Sequence, residues 1–84
     1  MTEGFVKEYD ETGNLIFEGK YSNCVRNGKG KEYYPNGNLK FEGEYLNGER
    51  NGFGKEYNTR GKLEFEGKYL KNKRLEGKRI WSLE

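Results

Sequence analysis

At 84 residues and 31% hydrophobic content the chain cannot enclose a large core, and its single cysteine, Cys24, excludes an internal disulfide. Charged residues reach 36% but nearly cancel, leaving a net charge of +2, and 15% of the residues are aromatic, a composition opposite to that of disordered chains. Histidine is absent, which removes the commonest general base and metal ligand.

Taken from its start, the chain repeats itself. Gly4, Gly28 and Gly52 stand 24 residues apart, and the same spacing relates Lys7, Lys31 and Lys55, then Glu8, Glu32 and Glu56, then Tyr9, Tyr33 and Tyr57. Further along each unit, Gly13, Leu15, Phe17, Glu18, Gly19 and Tyr21 recur at the same interval through two more copies. A short fixed period of this kind marks a repeat architecture. The units run approximately over 4–27, 28–51 and 52–76, followed by a terminal strand over 77–83, all within a single domain spanning residues 1–84.

No apolar pattern of period 3.6 persists, and 13 glycines are too many for helix, so none is expected. Leu15-Ile16-Phe17-Glu18-Gly19-Lys20-Tyr21 alternates instead with period two, as do its copies at Leu39–Tyr45 and Leu63–Tyr69. Tyr34-Pro35-Asn36-Gly37 suits a type I turn ending in a left-handed, bulge-forming glycine, and Gly13 and Gly61 hold the same place. This turn predicts Tyr9 opposite Leu15, Lys7 opposite Phe17, Phe5 across from Gly19 and Phe53 across from Gly67, an aromatic ring covering a strand glycine. The Asn- and Gly-rich Asn47–Gly52 stretch forms the second connection, since Asn-Gly accepts positive φ at both positions. The expected fold is all-β: about seven short strands in one elongated, twisted, single-layer antiparallel meander of stacked hairpins. Keeping the 24-residue register to the end puts Trp81 at the place of Tyr33 and Tyr57, with Arg79, Trp81 and Leu83 on the face of Lys55.

The motif Phe41-Glu42-Gly43-Glu44-Tyr45, then Gly48, then Gly52-Phe53-Gly54 resembles the MORN repeat, an aromatic-x-Gly-x-aromatic core followed by spaced glycines. Phe17-Glu18-Gly19-Lys20-Tyr21 with Gly28-Lys29-Gly30 resembles it too, Cys24 replacing the intermediate glycine. Phe65-Glu66-Gly67-Lys68-Tyr69 opens a third copy that departs afterwards, with Asn72, Glu76 and Lys78 at glycine positions. The resemblance implies a curved sheet of stacked hairpins that serves as an accessory or scaffold module near membranes, cytoskeleton or enzymes.

Against catalysis stand the missing histidine and the identical repetition of the glutamates, since acid–base work needs two unlike carboxylate environments. Gly28-Lys29-Gly30 and Gly52-Phe53-Gly54 lack the context of a nucleotide loop, and no calcium loop is present. The expectation is a non-enzyme with no cofactor and no metal. With neither a signal peptide nor an apolar run near 18 residues, a soluble cytoplasmic protein is expected.

The functional candidate is the apolar face. Period two assigns it Tyr9, Phe17, Tyr21, Tyr33, Phe41, Tyr45, Tyr57, Phe65, Tyr69 and Trp81, with Leu15, Leu39 and Leu63 beside them and Lys7, Lys31 and Lys55 laying their stems over the rings. The opposite face receives Glu8, Glu18, Glu32, Glu42, Glu44, Glu56, Glu64 and Glu66 against Lys20, Lys40 and Lys68. That acidic balance argues against nucleic acid. The leading expectation is a repeat scaffold that binds a protein partner, or a second copy as a homo-oligomer, through the aromatic face, with open sheet edges favouring end-to-end association. The alternative is a membrane-surface adaptor that meets anionic phospholipid through Lys71, Lys73, Arg74, Lys78 and Arg79.

Overall fold

The computed structural model describes residues 3–79. They form seven strands: β1 (Gly4–Tyr9), β2 (Leu15–Ser22), β3 (Val25–Tyr33), β4 (Leu39–Leu46), β5 (Glu49–Tyr57), β6 (Leu63–Leu70) and β7 (Lys73–Arg79). The strands pair in sequence order, every pair antiparallel, and the described residues contain no helix. The molecule measures 44 × 30 × 15 Å, so the sheet is one layer thick.

The connections follow from turn chemistry. Gly37 N–H donates to the Tyr34 carbonyl at 2.9 Å and Gly37 sits at φ 91°, completing the type I turn that Pro35 begins. In the first unit Asp10 Oδ1 accepts from Thr12 N and Asn14 N, and in the third Asn58 Oδ1 accepts from Arg60 N and Lys62 N. The other connections are two-residue turns with both residues at positive φ: Asn23-Cys24, Asn47-Gly48 and Lys71-Asn72.

Register departs from strict alternation. Tyr9 pairs with Leu15 as the turn predicts, but the ladder then shifts, so that Glu8 rather than Lys7 lies across from Phe17. Ile16 is the extra residue of this bulge, and Lys40 and Glu64 are extra in the same way in β4 and β6. A slip of one residue exchanges the two faces of a strand. The bulge therefore carries Glu8, Glu32 and Glu56 to the phenylalanine face and moves Lys7, Lys31, Lys55 and Tyr9, Tyr33, Tyr57 to the other. Phe5 faces Lys20 and Phe53 faces Lys68, not the glycines.

The strand glycines are covered by different rings. Gly19 pairs with Gly30 and Gly43 with Gly54. A Cβ on Gly30 would stand 2.7 Å from the Phe17 ring, and one on Gly54 would stand 2.5 Å from the Phe41 ring. Phe17 and Phe41 therefore each reach over a glycine pair formed by two neighbouring hairpins. Val6 occupies the corresponding place on β1, so a further strand of the β2 type could not seat its phenylalanine there as Phe17 seats on β3.

The last strand begins at Lys73, not Gly77, and drops one residue from the repeat. β3 and β5 each oppose one residue with three between the Arg26 or Arg50 pair and the following glycine pair, whereas β7 adds only Leu75. Gly77 thus pairs with Gly67, and Arg79 pairs with Phe65, which is the register position of Glu32 and Glu56 rather than that of Lys55. Trp81 and Leu83 lie outside the described residues.

Candidate functional site

Phe17 and Phe41 are fully buried, and Tyr45, Phe65 and Tyr69 nearly so. Edge-to-face contacts join them along the sheet: Phe17–Tyr45 at 5.3 Å between centroids, Phe41–Tyr45 at 5.7 Å, Phe41–Tyr69 at 5.1 Å and Phe65–Tyr69 at 5.6 Å. Tyr21 packs half-buried at the first end.

A single-layer sheet has no second layer to cover these rings, and arginine takes that role. The guanidinium of Arg26 lies 4.1 Å above the Phe17 ring, Arg50 lies 4.1 Å above Phe41, and Arg74 lies 4.6 Å above Phe65. Each arginine is held by the glutamate that the bulge turns to this face. Arg26 donates to both oxygens of Glu8 at 2.9 and 3.0 Å, and Arg50 to both oxygens of Glu32 at 3.0 and 3.1 Å. Arg74 Nε donates to Glu56 at 2.8 Å. Tyr21, Tyr45 and Tyr69 hydroxyls donate to the same three carboxylates. The units also couple to one another, Arg26 approaching Glu32 at 4.0 Å and Arg50 approaching Glu56 at 3.7 Å.

These contacts set the ionisation. The Arg26 hydrogen bond, opposed by burial, holds Glu8 below its ordinary value. Burial pushes Glu32 and Glu56 upward, but Arg50 and Arg74, with the tyrosine hydroxyls, outweigh it and keep both low. Burial, then the bond to its carboxylate, raises Tyr45 and Tyr69 well above the usual phenol range. The carboxylates are ionised and fully engaged, which suits a structural ladder rather than proton transfer.

Phe17, Phe41, Tyr45, Phe65 and Tyr69, five of the ten rings expected to form a docking surface, are therefore the core of the sheet and lie beneath arginine. Arg26, Arg50 and Arg74 belong to no motif, yet they recur at the 24-residue period, and that recurrence is the signal that marks them. Tyr33 and Tyr57 sit on the opposite face and donate to Glu18 and Glu42. Tyr9 is exposed there.

That opposite face carries the open surface. One row crosses all seven strands with strict alternation: Lys7, Glu18, Lys31, Glu42, Lys55, Glu66, Lys78. It is neither the acidic face nor the lysine-covered aromatic face that unbroken alternation predicts. Beside it lies a trough of about 550 Å³, lined by Phe5, Phe53, Lys29, Glu44 and members of that row over a floor of Gly19, Gly30 and Gly43. Phe5 is 66% exposed and Phe53 50%. The C-terminal basic residues do not gather. Lys71 and Lys73 are exposed at the last turn, Arg74 is spent on Glu56, and Lys78 stands across from Glu66 on the trough face.

Among the described residues no helix is long and apolar enough to cross a membrane, and no group of side chains could hold a metal ion. Comparison with curated proteins returns no match. Among family profiles, the MORN repeat variant matches residues 3–23 and 26–47, and the MORN repeat matches residues 41–62. With the phenylalanine-over-glycine packing recurring through those same stretches, the chain belongs to the MORN-repeat family.

Proposed function

We propose that this chain is a non-catalytic scaffold that binds protein through the face carrying the lysine–glutamate row and the trough. MORN repeats are a non-catalytic repeat type and generally bind proteins or membranes, which supports the class of function. The observation that carries the choice of surface is the exposure of Phe5 and Phe53 at the sides of a trough floored by glycine backbone. Exposed aromatic residues on a polar surface are the usual anchors of protein contacts. The aromatic face lacks that property, because its rings are buried beneath arginine. Nor does the basic C-terminal segment offer a concentrated charge to an anionic bilayer, since Arg74 and Lys78 lie on different faces beside glutamates.

Selection of displayed random peptides against the immobilised chain tests the reading. Selected peptides are expected to lose at least tenfold in affinity on a Phe5→Ala/Phe53→Ala variant. Peptides whose binding is indifferent to those two changes would place the binding surface elsewhere.

A further inference from the structure

We infer that the trough face is self-complementary and that its occupant is a second copy of this chain; this rests on the reading of that face as the binding surface. The row alternates in sign at every strand, with Lys31 on β3 and Glu42 on β4 at its centre. Consider a two-fold axis lying between two stacked sheets, along the strand direction. If it passes between adjacent strands, every lysine of the row meets a glutamate of the other copy. If it passes through a strand, or runs across the strands, like charges meet. Alternation alone therefore selects the direction of the axis and places it between strands.

A second row fixes which strands. Reading across the sheet it holds Phe5, Lys20, Lys29, Glu44, Phe53 and Lys68. An axis between β3 and β4 sets Lys29 against Glu44 and gives each phenylalanine a lysine stem, Phe53 against Lys20 and Phe5 against Lys68. An axis between β4 and β5 sets Lys29 against Lys68, and one between β2 and β3 sets Lys20 against Lys29. Glu76 on β7 continues this row beyond Lys68, so an axis between β5 and β6 sets Glu44 against Glu76, while axes at β1/β2 or β6/β7 overlap only two strands of each copy. Of the axes that bury most of the face, the β3/β4 axis alone satisfies both rows. It also brings Phe53 of each copy to the β2 position of the other, inside the trough that Phe5 and Phe53 border.

The dimensions agree. Sheets stack about 10 Å apart, which a lysine and a glutamate reaching toward each other span. Aligned sheets cross at about 30°, so the central pairs, Lys31 with Glu42 and Glu18 with Lys55, keep their match despite the twist. The face, 44 × 30 Å, exceeds the roughly 800 Å² per partner of a standard interface.

Sedimentation equilibrium at chain concentrations up to about 1 mM tests the inference. The wild-type chain is expected at twice its 9.9 kDa mass, with association weakened by salt. Lys31→Glu alone and Glu42→Lys alone should each associate at least tenfold more weakly, since each creates two like-charge contacts across the axis. An equimolar mixture of the two variants should dimerise again, because Lys31 of one chain then meets Glu42 of the other and the two reversed residues meet each other. Circular dichroism establishes that each variant keeps its sheet; if either loses it, Lys31→Gln and Glu42→Gln replace them, with weakening expected in both. A wild-type chain that stays at monomer mass overturns self-pairing, as does a folded mixture that fails to recover or a pair of glutamine variants that associate like wild type. Loss of peptide binding in the Phe5/Phe53 variant is read separately, so a monomer that still needs those residues for peptide refutes the second copy and leaves the protein-binding reading intact.

Discussion

Replacing Arg50 by methionine removes a charge while keeping an apolar stem over Phe41, and so separates the two jobs this side chain performs. Arg50 is 13% exposed at its side chain and Glu32 15%, the most enclosed pair of the ladder. Without Arg50 the Glu32 carboxylate keeps the Tyr45 hydroxyl and a distant Arg26 at 4.0 Å. Breaking a buried pair on one side costs about 3–5 kcal/mol. Residual solvent and Arg26 should reduce this to about 2–3 kcal/mol, a large share of the roughly 4–13 kcal/mol that holds a chain of this length folded. The Arg50→Met/Glu32→Met double variant leaves no stranded charge and should recover to within about 1 kcal/mol of wild type, the remainder being the unpartnered Tyr45 hydroxyl. Urea unfolding followed by far-ultraviolet circular dichroism measures all three. A coupling of at least about 2 kcal/mol between the two sites is expected; single effects that add to within about 0.5 kcal/mol would refute the ladder's role. The same change at Arg26 and Arg74, 24% and 33% exposed, should cost progressively less.

Gly54→Ala gains about 0.4–1 kcal/mol from a stiffer unfolded chain, but its methyl group meets the buried Phe41 ring at 2.5 Å, so a net loss near 1–2 kcal/mol is expected as a lowered Tm. Gly37→Ala meets nothing within 4 Å, yet should cost about 1–2 kcal/mol because its φ is 91°, whereas Gly48→Asn, at a place Asn72 already holds in the last turn, should stay within about 0.5 kcal/mol. Glu8, Glu32 and Glu56 are more acidic folded than unfolded, so their contribution is whole above about pH 4.5 and is lost as pH falls through the folded values. A Tm that stays flat through acid would contradict this. Burial and the bonds to Glu18 and Glu42 push Tyr33 and Tyr57 from 10.0 up to about 12, so stability present below pH 10 should fall between pH 10 and 12. Tyr33→Phe/Tyr57→Phe should flatten that limb of the Tm profile.

The repeat, the seven strands and both kinds of turn are legible in the residues, because period and turn chemistry are local. Pro35-Asn36-Gly37 and Asn47-Gly48 each dictate φ angles that the structure adopts. The faces are not legible in the same way. Alternation holds on both strands of each hairpin, but nothing in Leu15-Ile16-Phe17 says that Ile16 is surplus to the pairing, and that one residue decides whether Lys7 or Glu8 looks at Phe17. The short last strand misleads for a related reason, since a missing residue near Leu75 is silent until Gly77 finds Gly67. The aromatic row suffers most: a line of rings reads as exposed where no helix is expected to cover it, and only the arginine covering shows Phe17, Phe41 and Phe65 to be interior.

Because Arg26 reaches forward to Glu32 and Arg50 to Glu56, the join between units is chemically the same wherever it falls. Excising residues 28–51 would bring Arg26 beside Glu56 and Phe17 over Gly54, so the arginine–carboxylate and phenylalanine–glycine contacts at the junction would be remade in kind. Duplicating the same stretch would widen the sheet by two strands, about 10 Å. Such a chain changes span by copying or losing whole units of 24 residues without any new interface having to evolve, and the alternating row on its trough face keeps its sign pattern each time, since two strands always add one lysine and one glutamate.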